Sequence, residues 1–233
     1  MTAQTLSPDH EGPGRGARRF GAALLALTGL FTLALVLNHP VLAGRHDVKA
    51  VAAGIQALAA ADRMVHGLLM VVLGLQAVGF FILSARLGWR SPAVGAGFTA
   101  FVAGAVVMTI PATLDGFVTP DLAGACLKLP MGCSATDAGA FRLVAVMIQD
   151  FTKLALILMS VAAAGWGLAL VFRRGWLNRL AGAAALACGI IPAWVLLTSA
   201  INLRPANLAQ IVAAQVVWSL VAAAVLLVKD KIA

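Results

Sequence analysis

The chain has 233 residues, 61% of them hydrophobic and only 11% charged, with a mean hydropathy of +0.96. A soluble domain carries about 25% charged and about 45–50% apolar residues, so this composition excludes an ordinary soluble globule and marks an integral membrane protein. The net charge of +8 lies in short basic clusters between apolar runs rather than along one face, which excludes a nucleic-acid partner.

Residues 1–18 are polar, hold Pro8, Gly12, Pro13, Gly14 and Gly16, and read as a disordered cytoplasmic tail. Residues 19–233 read as one all-α transmembrane domain. Six spans are expected at about 20–38, 64–85, 93–114, 143–172, 179–201 and 208–228, because about 20 apolar residues cross roughly 30 Å of hydrocarbon. Val41-Leu42-Ala43 resembles a signal-peptidase site. The apolar run before it exceeds a usual signal core of about 7–15 residues, so a retained first helix is expected. Gly95, Gly97, Gly104 and the alanines of the last two spans let backbones approach closely in lipid. Pro111 and Pro192 fall inside spans and should bend them.

Arg15, Arg18, Arg19, Arg86, Arg90, Arg173, Arg174, Arg179, Lys229 and Lys231 all fall on one side of the expected bundle, ten of the seventeen basic residues. The excess predicts a cytoplasmic (inner) membrane protein with both termini in the cytoplasm. Asn38–Asp62 and Asp115–Arg142 would then be outside. Cys126 and Cys133 lie in the second of these loops, where an oxidising compartment would let them form a disulfide; the alternative is two unpaired thiols.

Arg86-Leu87-Gly88-Trp89 aligns with Arg173-Arg174-Gly175-Trp176. After each outward-going span comes a polar residue (Asn38, Asp115 or Asn202), then a proline and Leu-Ala. The pattern suggests three repeated helical hairpins, with Asn38, Asp115 and Asn202 forming a ring at the outer mouth.

Ionisable groups within hydrocarbon cost several kcal/mol each and normally face a bundle interior or a wet cavity. Asp62 and His66, four apart, share one helix face; Asp150 and Lys153, three apart, could pair, with Gln149 beside them. His66, Asp62, Asp115, Asp150, Lys153 and Gln149, with Asn38 and Asn202, are therefore the candidate ligand-binding residues. The bland alternative is that the charges only solvate helix ends at the headgroup level.

His39, His46, His66 and Asp62 are metal-ligand types on one side, but no three-ligand spacing marks a site. Haem ligated by two histidines in mid-membrane is excluded, because only His66 lies within a span; His39 with His66 near the surface stays open. No nucleotide loop, nucleophile elbow or zinc-protease motif occurs, and no catalytic residue is assigned.

The leading expectation is a membrane protein that binds or transports a small ligand, ion or proton at an outward-facing polar site. The alternatives are a non-catalytic subunit that packs a membrane-protein partner or a second copy of itself, and a metal-dependent enzyme at the outer surface.

Overall fold

The computed structural model describes residues 12–40, 47–130, 132–199, 201 and 203–228. Most of the expected tail, Val41-Leu42-Ala43, His46, Asn202, Lys229 and Lys231 lie outside the described residues. The described residues form α1 (Arg15–Leu37), α2 (Val48–Leu87), α3 (Pro92–Thr113), a π turn (Leu114–Val118), α4 (Thr119–Lys128), α5 (Ala135–Val171), α6 (Trp176–Thr198) and α7 (Pro205–Leu227), with no strand. Six of these segments are long and apolar enough to cross a membrane, α3 and α4 together counting as one. The protein is an all-α, multi-pass membrane bundle.

Three antiparallel hairpins, α1–α2, α3–α5 and α6–α7, pack side by side, and α7 closes the ring against α1. Inside the ring α2, α5 and α7 touch one another pairwise. Each sends one aromatic side chain to their meeting point. Phe80 stacks on Trp166 at 4.5 Å and on Trp218 at 6.3 Å, and the two indoles stand 6.0 Å apart. Trp166 Nε1 donates to Ser84 Oγ at 2.9 Å, so the buried indole nitrogen keeps a partner. Leu27, Phe172, Trp194 and Leu197 point away from the bundle and are exposed, as a lipid-facing surface requires.

Glycine permits the tightest crossings. A Cβ on Gly104 would stand 2.9 Å from the Ala155 carbonyl oxygen, and one on Gly189 2.5 Å from that of Ser160. Without hydrophobic drive between helices in lipid, such close backbone approach supplies much of the packing energy.

Several helices outrun the expected spans. The helix begins at Arg15, inside the expected tail; α2 begins at Val48 rather than near 64, and α5 at Ala135 rather than near 143. The loop expected from Asp115 is helical as far as Lys128. Val48–Ala61 is rich in alanine, the best helix former, and Asp47 starts it by accepting the Ala50 N–H at 3.0 Å. At 40 residues α2 is about 60 Å long, twice the hydrocarbon thickness. Its first half therefore joins α4 and the start of α5 in a separate cap, where Ala52, Ile55, Ala123 and Cys126 form a small core. A Cys126–Cys133 disulfide, with Cα atoms 4.9 Å apart, ties the cap together. Arg63 Nη2 meets Asp121 Oδ1 at 2.6 Å across its exposed rim.

Candidate functional site

Beneath the cap, α1, α2, α3, α5 and α7 line a cavity of about 360 Å³. Its walls are mostly apolar, including Leu69, Leu73, Met108, Leu156 and Val212. Polar groups gather at two levels. His39, Asp62, His66, Asp115, Gln149 and Thr152 stand near the cap, while Gln76 and Gln215 stand deeper, above the aromatic triad.

Three elements deliver the upper cluster. His39 follows the end of α1, Asp62 and His66 come from one face of α2, and Asp115 comes from the π turn. Pro111 removes a backbone donor from α3, and the helix widens into that turn three residues later. Thr119 Oγ1 donates to the Leu114 carbonyl at 2.8 Å and steadies the wider turn. The turn also presents Gly116 to the His66 ring: a Cβ there would lie 2.6 Å from His66 Cβ and 3.0 Å from Nδ1. Only a residue without a side chain lets α2 and the turn come this close.

The ring nitrogens are oriented by the backbone. His66 Nδ1 donates to the Asp62 carbonyl at 2.8 Å, and His39 Nδ1 to the Pro40 carbonyl at 2.8 Å. A carbonyl oxygen only accepts, so both Nδ1 atoms carry the proton and each neutral ring keeps its lone pair on Nε2. Those two Nε2 atoms face each other at 3.3 Å. Asp115 Oδ2 lies 3.5 Å from the His39 Nε2 and 3.4 Å from that of His66. The hydrogen bond to Asp115 holds the His39 imidazole above its ordinary value, against the opposing effect of burial. Asp62 completes the group: its carboxylate and the two imidazoles offer ligand atoms within 4.8 Å of one another.

His66, Asp62, Asp115 and Gln149 thus all border one cavity, but the other candidates do not join them. Asn38 is exposed, and its amide donates to the Ala34 carbonyl of its own helix at 2.8 Å, so the outer ring does not form at Asn38. The next residue, His39, turns inward in its place. Asp150 is exposed, and among the described residues it makes no ion pair with Lys153. Helix geometry explains both. Successive residues are about 100° apart, so the cavity face of α5 runs through Gln149, Thr152, Leu156 and Met159 and leaves Asp150 and Lys153 off it. Gln149 does bind, accepting the Leu203 N–H at 2.8 Å and pinning the approach to α7.

The paired-histidine haem fails on distance. Nitrogens on opposite sides of one iron stand roughly 4 Å apart, twice a metal–nitrogen bond of about 2 Å, and bracket the ring plane. Nε2 atoms 3.3 Å apart leave no room for an iron and its porphyrin between them.

Residues missed in the sequence are Gln76, Gln215 and Gly116. Gln215 Nε2 is buried with no hydrogen-bond partner among the described residues, while Gln76 Nε2 donates to Ser219 Oγ at 2.9 Å. An amide in the middle of an apolar run is itself a signal, because an unpaired one in hydrocarbon costs several kcal/mol. Compared with known proteins, the chain matches no family model, no curated protein and no solved structure.

Proposed function

We infer that the protein binds a small amphipathic molecule in this cavity, with its polar end at the His39–Asp62–His66–Asp115 cluster and its apolar body among the leucines below. The observation that carries the reading is the cavity itself: about 360 Å³, within the usual size of ligand sites, mostly apolar along its walls and ionisable at one end only. Depth agrees. His66 lies 21 residues before the end of α2 at Leu87, about 32 Å along the helix, so a bilayer starting at that end reaches the cluster at its far boundary. A bound amphiphile would keep its head at the interface and its body in hydrocarbon. The buried Gln215 amide offers a donor to any oxygen carried deeper.

The cap side is proposed as the external side. Most of the described basic residues lie at the other end, and the Cys126–Cys133 bridge belongs in an oxidising compartment. The aromatic triad beneath Gln76 closes the route onward, so any transport would require Phe80, Trp166 and Trp218 to separate.

Native mass spectrometry of the full chain in nanodiscs tests the reading. Wild type is expected to retain a co-purified organic adduct that Leu69→Phe with Val212→Phe, which fill the cavity, expels. A wild-type chain without an adduct, or an adduct unchanged in the filled variant, overturns it.

A further inference from the structure

Two imidazoles and two carboxylates gather at the head of the cavity: His39, His66 and Asp115 approach one another within 3.5 Å, and Asp62 offers an oxygen within 4.8 Å of the two imidazoles. Two Nε2 atoms and a carboxylate oxygen face each other at 3.3, 3.4 and 3.5 Å, and with both rings neutral and Nδ1 hydrogen-bonded to a carbonyl each Nε2 presents a lone pair to the others. Such a group of lone pairs is held together by a proton on one ring or by a metal ion between them. Tetrahedral ligands about 2.0–2.2 Å from an ion stand roughly 3.3–3.6 Å from one another, and the three separations fall in that interval.

We propose that His39, His66 and Asp115, with Asp62 at the fourth position, hold one divalent transition-metal ion of the zinc class.

The donor set selects the class of ion. Two imidazoles with carboxylates suit zinc and its neighbours, whereas calcium takes six to eight oxygens and magnesium keeps an octahedral oxygen shell with several waters. The outer contacts are those of metal-binding histidines, each giving its second ring nitrogen to a backbone carbonyl that fixes the tautomer. Gly116 leaves room for the His66 ring at the orientation this needs. The ligands come from the end of α1, from α2 and from the π turn, so the ion would fasten three segments at the boundary between cap and bundle. Asp62 stands further off than Asp115, and a ligand oxygen from the cavity can take its place on the ion. The inference deepens the binding reading by naming the ion at the same site, and it stands or falls separately from the organic ligand.

The test measures metal in the full chain purified in detergent from zinc-supplemented cells, by inductively coupled plasma mass spectrometry. The chain is then stripped and reloaded with Co²⁺. Wild type is expected to hold about one ion per chain and to show the strong visible absorption of tetrahedral cobalt. His39→Ala and His66→Ala should each weaken zinc binding at least tenfold to a hundredfold, since even outer-shell partners are worth that much. Asp150→Asn, on an exposed position, should leave the stoichiometry unchanged. His39 lies outside the helices, so its variant remains informative if His66→Ala does not fold; a matching unfolding profile of the cap checks this. Wild type that neither carries zinc nor gives the cobalt spectrum overturns the proposal, as does wild-type zinc content in the folded His39→Ala variant. A metal-free chain that keeps its organic adduct ends this inference alone. A metal-loaded chain whose filled cavity changes no adduct ends the binding reading alone.

Discussion

Near the cap, α2, α5 and α7 surround the cavity with Leu73, Thr152 and Val212; further along, the same helices bring Phe80, Trp166 and Trp218 into stacking contact. The bundle continues through both regions. What changes is the size of the side chains aimed at the axis: three large rings fill it at one level, while medium and small side chains leave it open at the other. The void therefore follows from residue choice on three helices that are otherwise held together by small-residue crossings.

Substitutions at the two levels should differ accordingly. Trp166→Ala removes a fully buried ring and leaves Ser84 Oγ without its donor, so a loss of roughly 3–5 kcal/mol is expected in denaturant unfolding. A loss below about 1 kcal/mol would break the contrast. Leu73→Ala, at the cavity wall, should cost only about 2–3 kcal/mol, the lower part of the range for a buried leucine, because one side of that side chain already faces empty space. Equal losses at the two positions would mean that the open region is as tightly packed as the closed one.

The cap half is not loose everywhere, and Gly116 sharpens the point. Gly116→Ala should cost about 1–2 kcal/mol and displace the His66 ring, visible as a shifted imidazole resonance and weaker zinc uptake. An unchanged resonance would show that the turn gives way instead. The smallest effect is expected at the cap rim. Arg63→Ala breaks an ion pair whose side chains are 45% and 73% exposed, so the change in unfolding midpoint should reflect less than about 1 kcal/mol.

The number of spans and the membrane character could be read directly, because length and apolarity alone decide them. Helix ends could not. Val48–Ala61, interrupted by Lys49 and Gln56, is too short to be read as a span yet has strong intrinsic helicity from its alanines, and the capping box of Ser134 with Asp137 was a visible start for α5 that apolar runs do not reveal. Facing was the harder problem. In lipid both sides of a helix are apolar, so nothing in the run separates Gln149 from Asp150, and the costly-looking Asp150 and Lys153 prove peripheral. His66 and Asp62 were legible by their spacing within one helix. His39 was legible only as a metal-ligand type on the same side as His66, because its approach depends on how the chain turns after Leu37.

At the end opposite the cap, the repeated Arg-x-Gly-Trp segments turn through glycines with φ of +88° and +100°, a region that disfavours side chains. Arg86, from α2, donates to the carbonyls of Val225 and Val228 where α7 finishes, and Arg173, beyond α5, donates to that of Leu87 where α2 finishes. Each guanidinium thus clasps the negative terminus of the neighbouring inner helix. Two successive clasps in the same rotational sense make this end a hub. Any widening of the mouth to admit a guest would then proceed as petals parting from a fixed base.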